Sequence, residues 1–219
     1  MRVSVVIPTY NEAGSIARVL DEIPASLVTE VLVVDASSTD GTGEIAAAHG
    51  ARVIVEPRRG YGRACLTGLG AADDPDTVVF LDGDYSDRPR ELGRLIEPIR
   101  QGVADIVLGS RLAGGLAPGA MPWHAVLGNR LAAGLIRWLY RISLTDLGPF
   151  RAARYEVLRA LDLREMTYGW AVELVTRIGV SKISGTLRGS IGAAWCILAG
   201  IVKHRLRAAV NRAEPGPAT

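Results

Sequence analysis

The first hundred residues alternate short β-branched runs with amphipathic helical patterns, and few folds accept that order. Val3-Ser4-Val5-Val6-Ile7 reads as a buried strand stopped by Pro8. Ala13 to Ile23 places Ile16, Val19, Leu20 and Ile23 on one helical face and ends before Pro24. A second strand follows over Val31 to Val34. Thr39 and Asp40 cap a helix over 43–49, and a third strand runs from Ala51 to Val55. A glycine-opened helix over 60–72, a strand over 77–81, a helix over 89–100 and a strand over 105–108 complete the series. This alternation predicts an α/β fold, a mostly parallel sheet flanked by helices. Ligands of such sheets sit beyond the carboxyl ends of the strands. Three polar clusters directly follow strands and should therefore share one rim: Pro8-Thr9-Tyr10-Asn11-Glu12, Asp35-Ala36-Ser37-Ser38 and Asp82-Gly83-Asp84.

The second half reads differently. A Gly/Pro-rich loop over 114–122 leads to a helix over 124–140, a polar turn at Thr145-Asp146, a compact segment over 150–161 and a helix over 168–177. A basic, apolar helical tail over 187–212 precedes a Pro/Gly-rich, disordered 213–219. From Arg177 onward seven Lys and Arg stand against the single acid Glu214, a balance of +6 beside −4 for the rest of the chain. That asymmetry suggests that one end meets an anionic surface, whereas the net charge of +2 gives no ground for nucleic acid. The apolar stretch Ile191 to Val202 is shorter than the ~20 residues of a membrane span. Cys65 and Cys196 have no metal-ligand spacing and read as core residues, and with three scattered histidines a zinc site is not expected. The chain is expected to be cytoplasmic, peripheral at the inner face of the membrane and without a transmembrane span.

Asp82 and Asp84 flank a glycine at the end of an apolar strand. Two carboxylates held so close repel unless a cation neutralises them. A hard divalent ion, Mg2+ or Mn2+, takes oxygen ligands and bridges a substrate diphosphate as well. Gly83 leaves room for that diphosphate, and Asp87 supplies either a third ligand or a helix cap. Asp35 can accept from a nucleoside, and the Ser37-Ser38-Thr39-Asp40 run can cap a helix or bind phosphate. Tyr10 offers a face to a base, and Glu12 accepts from its polar edge. Arg58-Arg59-Gly60-Tyr61-Gly62-Arg63 has the look of an anion site at a helix start, where backbone N–H groups point outward.

Taken in order, these residues resemble the family 2 glycosyltransferases with a GT-A fold: Val6-Ile7-Pro8-Thr9-Tyr10-Asn11-Glu12, Val34-Asp35-Ala36-Ser37-Ser38-Thr39-Asp40-Gly41-Thr42, Gly60-Tyr61-Gly62-Arg63-Ala64, Leu81-Asp82-Gly83-Asp84 and Gly109-Ser110-Arg111. Gly128-Asn129-Arg130, Thr145-Asp146-Leu147-Gly148-Pro149-Phe150-Arg151-Ala152 and Gly179-Val180-Ser181-Lys182 resemble the branch that glycosylates dolichyl or polyprenyl phosphate. The resemblance implies a catalytic domain over 1–186, with a donor half over about 1–111 and an acceptor half over about 112–186. It implies a metal-dependent, inverting transfer of a hexose from a UDP-glucose or GDP-mannose type donor to a lipid phosphate. Pro8, Tyr10, Asn11, Glu12, Asp35, Ser37, Gly62, Arg63, Asp82, Gly83 and Ser110 would bind the donor. Asp82 and Asp84 would hold the metal, and Asp84, Arg111, Arg130 and Asp146 would serve the reaction, with Arg111 and Arg130 toward the acceptor phosphate.

A phosphate monoester is largely ionised at pH 7 and needs no strong general base. Catalysis then rests on in-line placement and on stabilising the departing diphosphate. Two departures stand out. Ala36 occupies the place of a second acid, and relatives carry a turn and a strand after the helix of Glu173, where here Thr176-Arg177 runs straight into Ile178-Gly179. Two other readings follow: a soluble acceptor with Asp146 or Glu173 as general base, or a nucleotide-sugar-binding protein left inactive by the shortened segment.

Overall fold

The computed structural model describes residues 1–109 and 148–184, with side chains as far as Arg177, together with Gly134 and Trp138 singly. Six strands form one sheet: β1 Val3–Thr9, β2 Glu30–Asp35, β3 Arg52–Val55, β4 Thr77–Phe80, β5 Ile106–Leu108 and β6 Arg151–Arg154, in the order β3-β2-β1-β4-β6-β5. β1 pairs parallel with β2 and β4, and β2 with β3, while β6 runs antiparallel between β4 and β5. The sheet is therefore mostly parallel, as the alternation predicts. The strand at Arg151–Arg154, inserted between β4 and β5, is the one that the periodicity does not reveal.

Among the described residues, six α-helices cover it: α1 Ile16–Asp21, α2 Thr42–Ala48, α3 Tyr61–Ala71, α4 Leu92–Arg100, α5 Tyr155–Ala160 and α6 Trp170–Ser184. Alternate strand residues divide the core in two. Val3, Val5, Ile7, Val79 and Leu81 pack with Ile16, Val19, Leu92, Leu95 and Ile99 on one face. Val6, Val34, Val78 and Phe80 pack with Ala64, Cys65, Leu158, Trp170 and Leu174 on the other. Burying both faces requires the near-continuous apolar runs seen in β1, β2 and β4.

Pro8 does not end β1, which continues to Thr9 with Pro8 opposite Val34. Residues two apart along a strand turn their amides to the same side, and the Val6 carbonyl accepts from Leu81 on the β4 side. Pro8 thus turns its missing N–H beyond the end of the β4 pairing, which stops at Val6 and Phe80. Helix α6 runs unbroken from Trp170 to Ser184, so no turn or strand separates Arg177 from Gly179.

Candidate active site

The carboxyl ends of β1, β2 and β4 carry the three polar clusters to one rim, and an open cleft of about 580 Å³ lies there. Pro8, Thr9, Tyr10 and Glu12 line it from the first cluster, Ala36 from the second, and Asp82, Gly83 and Asp84 from the third. Arg59, Gly60, Tyr61 and Ala64 form the side provided by α3, and Thr167 and Tyr168 close it from the segment before α6.

Side chain to backbone bonds staple the first two loops together. Asn11, at φ +56°, donates its amide to Ser38 Oγ (2.9 Å) and accepts from Thr39 N (3.0 Å). Asp40 accepts from Ala13 N (3.0 Å) and from the Thr42 amide and hydroxyl, and Thr42 Oγ1 accepts from Glu12 N (2.8 Å). Asp40 therefore joins the loops, while Gly41, in the left-handed region at φ +89°, is the cap residue of α2. Ser37 is also left-handed, at φ +57°. Such conformations in non-glycine residues cost energy and persist where the surroundings fix them. The third loop is tied to the first by the Ser15 hydroxyl, which donates to the Gly83 carbonyl (2.8 Å).

Gly83 has a steric reason beyond room for a ligand. A Cβ there would lie 2.8 Å from Thr9 Cγ2, so the acidic turn packs on the β1 end only because this residue is glycine. Asp84 is exposed and accepts from Ser86 N (2.9 Å), while Asp82 is half-buried. Burial raises the Glu12 carboxyl from its ordinary value, opposed by the Ser15 hydrogen bond and reinforced by the Asp84 and Asp40 charges. Among the described residues no three His, Cys, Asp or Glu side chains converge as a complete metal cage. The Asp82-Asp84 pair would fit a hard divalent ion that draws its remaining oxygen ligands from outside the protein, and the negative charge around Glu12 would favour a cation there. Asp87 is buried outside the cleft wall.

Asp35 is 6% exposed and, unlike Ala36, does not line the cleft. Its carboxylate accepts from Ser38 N (3.0 Å), from the Ser38 hydroxyl and from Thr9 Oγ1 (3.3 Å). The helix start at Gly60 corrects the expectation of outward-pointing amides. Gly62 N donates to Thr167 O (3.1 Å) and Arg63 N to Met166 O (3.0 Å), so these groups hold the 165–168 segment. A Cβ on Gly62 would lie 2.2 Å from Glu165 O, and one on Gly60 2.3 Å from Met166 O. Glu173 is likewise engaged: it accepts from Arg164 N (2.9 Å), Glu165 N (2.7 Å) and Arg177 Nε (2.8 Å), and it is buried away from the residues that line the cleft.

Tyr61 stacks on Tyr168 with centroids 5.7 Å apart, and burial raises its hydroxyl well above its ordinary value beside Cys65 and Asp82. Cys65 is a core thiol that burial pushes up from its ordinary value. Thr167 and Tyr168 carry no sequence motif that marks them as ligand contacts. Arg59 sits within the expected anion motif, and Tyr168 lies over a hundred residues from its stacking partner. Ser110, Arg111, His124, Arg130, Asp146, Cys196 and the 187–212 tail lie outside the described residues.

Residues 4–162 match the family model for glycosyl transferase family 2. An uncharacterized glycosyltransferase of Mycobacterium tuberculosis is 38% identical over 86% of this chain and 93% of its own length. The undecaprenyl-phosphate mannosyltransferase of Micrococcus luteus is 36% identical over 81% and 77%. Glucosyl-3-phosphoglycerate synthase from M. tuberculosis, solved with Mn2+, UDP-glucose and phosphoglyceric acid, superposes with a TM-score of 0.68 at 28% identity, covering 81% of this chain and 64% of that one. The chain thus spans about two thirds of the length of that synthase.

Proposed function

The chain belongs to glycosyl transferase family 2 and is a hexosyltransferase of GT-A fold, and on that premise we propose that it moves a hexose from a nucleotide-sugar to a polyprenyl phosphate at a membrane surface. The observation that carries the reading is the convergence of three strand ends, with Tyr10, Glu12, Asp82 and Asp84, on one cleft. Tyr10 and Glu12 receive the nucleoside, with Asp35 reaching it by exchanging the Ser38 hydroxyl for the ligand. Asp82 and Asp84 hold Mg2+ or Mn2+, which when bound neutralises the donor diphosphate and the charge that develops as it departs. Gly83 keeps the two carboxylates against the β1 end, and Ser15 fixes the Gly83 carbonyl.

The acceptor phosphate is already ionised, so the protein's part is placement in line with the anomeric carbon. We place Arg111 and Arg130 at that phosphate, a reading supported by the resemblance of their motifs to those of polyprenyl-phosphate transferases. The mannosyltransferase relative supports a lipid acceptor. Among the described residues no helix is long and apolar enough to cross a membrane, and the basic tail is the segment proposed to lie along one. A second reading, a soluble phosphorylated acceptor, draws on the synthase neighbour.

Incubating the full chain with labelled UDP-glucose or GDP-mannose, Mn2+ and either undecaprenyl phosphate or 3-phosphoglycerate separates these readings. Chloroform-extractable label that EDTA abolishes is expected. Label that stays aqueous and requires 3-phosphoglycerate replaces the lipid reading with the soluble one. Donor binding with no product from either acceptor favours a binding protein shortened after Arg177.

A further inference from the structure

We propose that Arg59 is a two-position binding residue, covering the Tyr10 ring when the cleft holds no ligand and moving onto the donor diphosphate when nucleotide enters. The inference rests on the nucleotide-sugar reading and adds to it a residue outside the helix-start amides. The fold gives the three arginines of the 58–63 segment different environments. Arg58 is fixed at Glu56, through its amide (3.1 Å) and its Nε (2.9 Å). Arg63 gives its amide to Met166, and its Nε is buried. Arg59 is exposed and rests, among the described residues, on Tyr10: its guanidinium carbon lies 4.1 Å from the ring centroid and Nη2 donates to the hydroxyl.

Charge makes that position provisional. The described lining residues include three carboxylates, Glu12, Asp82 and Asp84, and one guanidinium, Arg59. A diphosphate entering beside three carboxylates needs cations, and a divalent ion alone leaves the total strongly negative. An exposed cation–π contact favours its position by only about two- to fivefold, whereas a forked guanidinium on phosphate makes charge-assisted bonds of roughly twice ordinary strength. A base that stacks on the covered face of Tyr10 must displace Arg59, and the diphosphate attached to that base is where the displaced cation is wanted. The backbone does not need to move. Glu56 anchors the loop on one side, bound also by Thr67 Oγ1 (2.9 Å), and Ala64 N holds the Gly60 carbonyl (3.0 Å) on the other.

The test titrates the full chain and its Arg59→Ala and Arg59→Lys variants with UDP and GDP in Mn2+, and with uridine and guanosine. For the preferred base, Arg59→Ala is expected to weaken the diphosphate by about tenfold or more while leaving the nucleoside unchanged or up to about fivefold tighter, since the Tyr10 face is opened. Arg59→Lys should recover part of the diphosphate affinity. Equal weakening of nucleoside and diphosphate, or no change in either, overturns the two-position role and leaves the nucleotide-sugar reading intact. If the unaltered chain binds neither diphosphate with Mn2+, the nucleotide-sugar reading fails and this inference with it. Arg59 is exposed, so its variants are expected to fold, and an unchanged melting temperature checks this.

Discussion

Glu56 shows how a single buried carboxylate can fix a cleft-lining loop. It directly follows the third strand, 5% exposed, and accepts from Arg58 and from Thr67 on α3. The Arg58 hydrogen bond leads the causes that lower its pKa from 4.5 to about 2. A carboxylate depressed on folding stabilises above its unfolded value, and that stability is lost as pH falls through the folded one. Glu56→Gln should therefore be less stable than the parent at pH 6, with the gap narrowing from about pH 4.5 toward pH 2. Urea midpoints for both proteins across that range measure it. A gap constant with pH would mean that Glu56 acts by packing alone. Gln keeps an acceptor but loses the charge, so the comparison isolates ionisation from shape.

Helix α3 connects packing to the cleft at the level of elements. Its first turn faces a neighbouring chain segment, and the missing side chains of Gly60 and Gly62 let the carbonyls of Met166 and Thr167 reach its amides. Gly62→Ala puts a methyl 2.2 Å from Glu165 O and 2.8 Å from Trp170 Cβ. It should cost about 1–3 kcal/mol by overpacking and displace the Thr167-Tyr168 wall, weakening nucleotide binding as well. Gly70→Ala in the same helix meets nothing within 4 Å and should gain about 0.5–1 kcal/mol. Denaturant midpoints for the pair test whether close approach, rather than glycine's presence, decides the sign. The contrast also marks what was legible in the sequence. Strands β1, β2 and β4 declare themselves because burial on both faces demands runs such as Val3 to Ile7. Strand β6 does not, since Arg151-Ala152-Ala153-Arg154 has little β propensity and is a strand only because β4 and β5 flank it. The three rim clusters were likewise legible, each being placed by the strand before it. Tyr168 and the engagement of the Gly62 amide were not, because both depend on a contact between distant parts of the chain.

For the whole molecule, the sheet brings three like charges together at one end. Asp82, Asp84 and Glu12 line a single cleft, and burial and neighbouring charge already make ionised Glu12 costly. On the proposed function, a metal ion alone would relieve that repulsion but lack the phosphate oxygens that complete its shell. A nucleoside diphosphate alone meets the carboxylates unshielded. Each ligand therefore improves the site for the other, and the coupling is reciprocal by linkage. Ligands that bind only the folded chain raise its stability by about 2.7 kcal/mol at a hundred times Kd, or about 5–10 °C in Tm for a chain of this length. Mn2+ with UDP or GDP is expected to give a shift of that size for the preferred nucleotide, and either component alone less than half of it. Asp84→Asn keeps an oxygen for the Ser86 amide and should fold, yet lose the part of the shift that needs both ligands. Thermal melts of the two proteins under the four ligand conditions decide the matter. A full shift from nucleotide without metal, kept in Asp84→Asn, would place the diphosphate on the protein's own cations and remove the acidic strand end from donor binding.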